Sequence, residues 1–261
     1  MSIKEQYNNL QKSRKPVIFK NVSYKEYTKN YIVNTTSKLK LAIIVPFREH
    51  IHSNVRFNQL KKFVKYFHKF FKNQNIVYKF FIIKQSTYKK RFNRGKLLNI
   101  GFKLAKDYNI FVTHDVDMLP DKSLMKFYLH IPKYPVHIAY PGSSIKYEYS
   151  KYLGGINIYN KNDYIKINGF PNDFWGWGGE DDAIYDRLAI NNIIVIRPIS
   201  GKIDELPHEN LKENKEHVNL KKWENRINNV KNWKTNGLSD LNYKVTSVKN
   251  LAMLYIYNVD I

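Results

Sequence analysis

The sequence predicts an α/β fold with a mostly parallel central sheet flanked by helices. Three observations lead to this class. Short apolar runs recur near 41–45, 77–83 and 110–114. The stretches between them carry apolar residues at helical spacing. The third run leads straight into two carboxylates, and the carboxyl ends of strands are where open α/β sheets bind ligands.

Taken in order, residues 1–40 form a polar, lysine- and tyrosine-rich lead-in with little periodicity, and 41–261 form a single domain. The run 41–45, stopped by Pro46, has the continuous apolar character of a buried parallel strand. Leu60, Phe63, Val64, Phe67, Phe70 and Phe71 then recur at three- and four-residue intervals, predicting a helix over 55–72. A second strand follows at 77–83. Residues 96–106 place Leu97, Gly101, Leu104 and Ala105 on one helical face, and a third strand follows at 110–114. Prolines at 132, 135 and 141 punctuate the middle. Gly154-Gly155 introduces a strand at 156–159. Residues 168–179 are rich in glycine and tryptophan and predict a loop. A helix at 182–189 and a strand at 193–196 follow. Residues 201–236 are hydrophilic with few apolar anchors, which predicts a mobile segment. Two closing strands are expected at 244–248 and 251–257.

Composition narrows the function classes. With 43% apolar and 15% aromatic residues, the chain can bury a sizeable core, so disorder is not expected. It has no run of about 18 apolar residues and no apolar stretch typical of a secretion signal. It also has no cysteine, which excludes disulfides and thiolate metal sites. The expectation is a soluble chain of a reducing, intracellular compartment, without a membrane span. The formal charge of +22 comes from 44 Lys+Arg against 22 Asp+Glu. Such a balance suits nucleic acid or acidic glycans. The abundance of Lys, Asn, Ile and Tyr favours compositional bias and solubility as its explanation.

The scarce acids are the more informative residues. In an extended chain Asp115 and Asp117 point the same way. At the end of a buried strand they converge, and paired carboxylates suit a hard divalent cation that clamps a diphosphate. A second motif spans Phe174 to Asp182. Its glycines permit close backbone approach to a ligand, and its tryptophans offer flat faces to sugar rings. Glu180, Asp181 and Asp182 repel one another, so at least one requires a shifted pKa or a cationic partner. His114 alternates away from the acids, and the remaining histidines carry little weight.

The sequence resembles the catalytic domain of the β-1,4-galactosyltransferase family. The resemblance rests on Val45-Pro46-Phe47-Arg48, on Phe92 through Asn99 with Arg94, on Asp115-Val116-Asp117, on Tyr152-Leu153-Gly154-Gly155, and on Asn168 through Asp182. It is good over about 41–200 and fainter to about 248. It implies a GT-A fold, a UDP-sugar donor and an inverting transfer to a carbohydrate acceptor. Pro46, Phe47, Arg48, Phe92 and Arg94 would hold the uridine and diphosphate, with Asp115, Val116, Tyr152 and Gly155 beside the donor. Asp117, His208 and Glu205, or in place of Glu205 a neighbouring acid, Asp204 or Glu209, would ligate Mn²⁺, or Mg²⁺. Trp177 would lie on a mobile loop over donor and acceptor. Asp181 would be the base, with Glu180 holding a sugar; Asp182, Gly178, Gly179 and Tyr152 would line the acceptor site.

Several positions depart from the family pattern. His50 stands where a second arginine is usual. Glu205 replaces a methionine or histidine metal ligand, and as a harder ligand it should relax the preference for Mn²⁺ over Mg²⁺. Lys222-Trp223-Glu224 occupies the region of an Arg-Phe pair used against an acceptor N-acetyl group. Tyr152, by contrast, keeps the family's bulky tyrosine, and the resemblance implies that it disfavours UDP-N-acetylgalactosamine against UDP-galactose. UDP-GalNAc, UDP-GlcNAc and UDP-glucose stay open as donors. A noncatalytic basic module, centred on the cationic run from Tyr88 to Phe92, is the reading from another class; no specific nucleic-acid partner is expected.

Overall fold

The computed structural model describes residues 1–12, 14–49, 54–86, 90–207 and 217–261. Along the chain, α1 (Ile3–Lys12), β1 (Phe19–Val22) and α2 (Tyr24–Asn30) precede β2 (Lys40–Phe47). Then come α3 (Val55–Phe71), β3 (Val77–Gln85), α4 (Arg94–Leu104), β4 (Ile110–His114) and the short β5 (Met118–Pro120). The middle holds α5 (Lys122–Met125), β6 (Val136–His137), β7 (Ile156–Asn160) and α6 (Lys161–Lys166). Last are α7 (Glu180–Ile190), β8 (Val195–Pro198), β9 (Ile203–Glu205), α8 (Lys222–Asn232), β10 (Lys244–Leu251) and β11 (Leu254–Asp260).

The main sheet has strand order β1-β8-β6-β7-β4-β2-β3-β11-β10. It is mostly parallel, as expected. β7 runs antiparallel to both neighbours, and β10 runs antiparallel to β11. Period-two alternation splits β2 between two layers. Leu41, Ile43 and Val45 pack with Phe63, Phe67 and Phe71 of α3. Ala42 and Ile44 face the opposite layer, with Leu97 and Ile100 of α4. A strand covered on both faces reads as one unbroken apolar run, which is why β2, β3 and β4 are legible in the sequence. Among the described residues no helix is long and apolar enough to cross a membrane.

Three stretches differ from expectation. Residues 1–40 contain α1, β1 and α2, and β1 pairs in parallel with β8 at the sheet edge. Tyr7 is the one buried residue of α1, too little for a clear helical period. The hydrophilic stretch after 201 contains β9, paired with β5, and α8, whose buried residues are Asn225 and Asn229. Amides buried through hydrogen bonds leave no apolar pattern: Asn225 donates to the Asp173 carbonyl, and Asn229 accepts from Arg187. Finally, helices start earlier than predicted. α4 begins at Arg94 because the Asn93 side chain accepts from the Lys96 N–H at 2.9 Å. α7 begins at Glu180, after Gly179 at φ 99°.

Gly101 sets the distance between α4 and the sheet. A Cβ there would stand 2.2 Å from Ile44 Cγ2 and 3.1 Å from Ile83 Cγ1. Gly101→Ala is expected to destabilise the protein by about 1–3 kcal/mol through overpacking, exceeding the gain of up to ~1 kcal/mol in helix propensity. Urea unfolding measures it, and an unchanged or raised midpoint would contradict the packing described.

Candidate active site

A cleft of about 510 Å³ opens where β2 and β4 end and α4 and α7 begin. Nearly all of the predicted site residues lie along it. Pro46, Phe47, Arg48 and Phe92 form one end, with the Arg48 guanidinium 5.3 Å from the Phe92 ring centre. Arg94, Asp115, Val116 and Tyr152 form the floor. Trp177, Gly178 and Gly179 lead into Glu180, Asp181 and Asp182, and all six line the cleft. Asp117 and Glu205 occupy a third corner. Gly155 enters through its backbone, its carbonyl accepting from Arg94 at 3.3 Å. His208, His50 and His52 lie outside the described residues, as do Tyr88 and Lys89. Phe92, the aromatic end of that basic run, faces the cleft.

Arg94 binds the floor together. Its Nε donates to Asp115 at 2.7 Å, its Nη1 donates to Asp181 at 2.9 Å, and Glu180 lies 4.0 Å away. Burial opposes its charge, but Asp115, Asp181 and Glu180 more than offset this and hold its pKa well above the ordinary value. One cation among three acids leaves negative charge in excess. Burial, reinforced by Asp181, pushes Glu180 up to about 8. Asp181 is pushed up to about 6 by burial, against the pull of Arg94. The Asp181 side chain is 24% exposed and can reach a ligand. Oε2 of Glu180 is buried without a hydrogen-bond partner, and a buried polar atom ordinarily has one.

The loops that carry these acids need their glycines. A Cβ on Gly154 would stand 2.5 Å from both Asp181 Oδ2 and the Tyr152 hydroxyl, so the absence of a side chain lets Asp181 and Tyr152 share one corner. Gly176, Gly178 and Gly179 have φ of 92°, 110° and 99°. That left-handed run turns Trp177 back over the cleft. Trp177 is tied down by a bridge to Val218, with its N–H donating to the His217 carbonyl at 2.6 Å and its carbonyl accepting from Asn219 at 2.9 Å.

Asp115-Val116-Asp117 converges by a different route from the one expected. β4 ends at His114, and the motif occupies the turn into β5. The turn, rather than strand alternation, sends Asp115 to Arg94 and Asp117 to Arg56, the latter at 2.8 Å. Pairing of β5 with β9 sets Glu205 opposite Met118, and Leu206 N–H donates to the Asp117 carbonyl at 2.7 Å. Asp117, in the turn before β5, and Glu205, on β9, are thus close along the backbone and both line the cleft, two carboxylates of the kind a hard cation takes. His114 points away, buried edge-on against Phe63 and Phe67.

Sequence reasoning missed four contributors. Arg56 donates to Asp117, and nothing in its helix marks it beforehand. Tyr149 donates to Asp182 at 3.3 Å, and Tyr147 lies 6.4 Å from Trp177, ring centre to ring centre. The spacing of Tyr147, Tyr149 and Tyr152 was the available signal for these two. Arg226 pairs with Asp182 at 3.1 Å, from a helix that the apolar pattern hides.

Two family models match the chain. The model of the N-terminal region of glycosyl transferase group 7 matches residues 5–128, and that described as the N-terminal domain of galactosyltransferase matches 134–209. The chain is 35% identical over 227 residues to beta-1,4-galactosyltransferase 1 of Bos taurus, covering 85% of this chain and 54% of the relative. It is 32% identical over 228 residues to beta-1,4-galactosyltransferase 4 of Homo sapiens, covering 85% and 63%. The chain therefore spans between half and two thirds of the length of these relatives. Among solved structures it is similar to a Drosophila β1,4-galactosyltransferase 7 mutant in complex with manganese, UDP-Gal and xylobiose. That match has a TM-score of 0.72 and 29% identity, and covers 85% of this chain and 94% of the other.

Glu180 makes stability depend on pH. Its folded pKa, about 8, lies above the ordinary 4.5, so folding favours the neutral acid. The stability this supplies is full below the ordinary value and is lost as pH rises through about 8. Glu180→Gln mimics the neutral form. Wild type and variant are expected to unfold alike near pH ~4, and the variant to be the more stable above pH ~8. Parallel curves across that range would show that Glu180 is not held neutral.

Proposed function

We propose that this chain, which belongs to the β-1,4-galactosyltransferase family, is a metal-dependent, inverting glycosyltransferase that moves galactose from UDP-galactose to a carbohydrate hydroxyl. The observation that carries this reading is the convergence of Arg94, Asp115, Asp181 and Glu180, whose Oε2 has no hydrogen-bond partner, in one aromatic-walled cleft.

Inversion requires a single in-line displacement. The acceptor oxygen attacks the anomeric carbon as the bond to the UDP oxygen breaks, and the acceptor proton moves to a base on the attacking side. Asp181 is that base. A pKa near 6 leaves it ionised at neutral pH while keeping it basic enough to take the proton. Arg94 stabilises the charge that develops on the departing diphosphate. Phe92 and Arg48 receive the uridine end, and Pro46, Phe47 and Val116 shape its wall. Glu180 holds a donor-sugar hydroxyl. Asp182, with Gly178 and Gly179, contacts the acceptor, and Trp177 covers both sugars and excludes water. Tyr152 crowds the donor sugar at the position where an N-acetyl group would sit.

Asp117, Glu205 and His208 are the residues that would hold the divalent cation. When bound it neutralises the diphosphate. The carboxylate of Glu205 admits Mg²⁺ as well as Mn²⁺. The manganese, UDP-Gal and xylobiose present with the Drosophila relative make those the first probes to use.

Transfer from UDP-galactose to a panel of saccharides, xylobiose included, tests this reading when wild type is compared with Asp181→Asn. The variant is expected to bind UDP with Mn²⁺ as wild type does, yet to transfer about 10²–10⁴-fold more slowly. Wild type is expected to prefer UDP-galactose to UDP-N-acetylgalactosamine. Near-normal transfer by the variant would remove Asp181 as the base, and equal use of both donors would remove the galactose assignment.

A further inference from the structure

Helix α1 packs against α8, and one of its side chains, Tyr7, reaches Arg226, which lines the cleft. Tyr7 is buried, and its hydroxyl donates to the Asp186 carboxylate, 3.1 and 3.0 Å from the two oxygens. Arg226 of α8 donates through Nη2 to the same hydroxyl, and its guanidinium stacks 3.9 Å from the Tyr7 ring centre. Through Nη1 the same guanidinium pairs with Asp182 Oδ2 at 3.1 Å. Gln11, one turn further along α1, donates to both Asp186 and Tyr7. Asp182 and Asp186 stand four residues apart on α7, so they share a face. Arg226 spans that face, with Asp182 on its cleft side and the Tyr7–Asp186 pair behind it.

This arrangement is an expensive way to join three helices. Burying ions is seldom more stabilising than packing apolar side chains of similar volume. It does fix the orientation of a carboxylate, because an arginine held from behind cannot swing away. Asp182 is the acid so fixed, and its other oxygen accepts from Tyr149.

We propose that Arg226 positions Asp182 for the acceptor and that Tyr7 and Asp186 hold Arg226, so that the N-terminal helix sets acceptor affinity. The inference rests on reading Asp182 as an acceptor-contacting carboxylate. Tyr7 and Asp186 touch neither substrate; they are positioning residues.

The test compares Tyr7→Phe, Asp186→Asn, Arg226→Lys and Asp182→Asn in the full chain. The acceptor is whichever of xylobiose and the p-nitrophenyl xyloside, glucoside and N-acetylglucosaminide wild type galactosylates fastest. Asp182→Asn is expected to raise the acceptor KM most. Tyr7→Phe and Asp186→Asn are expected to raise it about three- to tenfold, the loss of one or two hydrogen bonds. In both, the KM for UDP-galactose and the slow hydrolysis of that donor should stay at wild-type values. Tyr7→Phe and Asp182→Asn combined should be less than additive. A role confined to stability would lower the melting temperature and leave the acceptor KM alone, and that result overturns the proposal. If Asp182→Asn raises the acceptor KM while the Tyr7, Asp186 and Arg226 variants do not, the relay is wrong and the acceptor reading stands. If Asp182→Asn leaves it unchanged, or no acceptor is used, the acceptor reading fails and the inference with it.

Discussion

The site depends on one buried guanidinium. Arg94 is the first residue of α4, where the partial positive charge of a helix N-terminus disfavours a cation. It is 12% exposed, so water does little to support its charge. What holds it there is the set of acids around it: Asp115 from the end of β4, with Asp181 and Glu180 from the start of α7. The dependence runs both ways. Without Arg94, these three carboxyl groups would lose the cation that pairs with them. With it, Asp181 is expected to be ionised and Glu180 neutral at neutral pH, the division of labour that the proposed base and hydroxyl-binding group require.

The fold brings these groups together through close approach. The thin α4–sheet contact at Gly101 draws the helix onto β2, and the Asn93 cap fixes where the helix starts and so where Arg94 points. From the other side, the left-handed glycines before α7 bring Asp181 against Gly154 and Tyr152. Arg187 anchors the loop before them: fully buried, it donates to the carbonyls of Ile167, Asn168, Gly169 and Asn236 and to the Asn229 side chain. It therefore fastens α7 to the start of the 168–179 loop and to the segment after α8.

What was legible in the sequence follows from how each feature signals itself. Strands buried on both faces, and the aromatic stripe of α3, write their positions directly into the apolar pattern. The acids stood out because a chain with few of them gathers them beside glycine and tryptophan. α8 was illegible because it is buried through amides and ion pairs, and α1 because a single tyrosine carries its burial. Arg56 and Arg226 were hidden for a further reason. In a chain with 44 Lys+Arg, a cation facing a carboxylate cannot be told from one facing water. The motif Asp115-Val116-Asp117 was found for a reason only half right, since the turn after β4 aims the two acids.

The central claim is that Arg94 sets the protonation of the acids around it, and a carboxyl titration reads this without any substrate. Asp181 is followed by carbon NMR in the aspartate-labelled protein, with Asp181→Asn supplying the assignment, in wild type and in Arg94→Met. In wild type its midpoint should lie near 6. Loss of the cation should move that midpoint upward by about one unit or more, as removal of a close opposite charge does. A midpoint unmoved in a folded Arg94→Met protein would contradict the account, because the acids would then owe their state to burial alone.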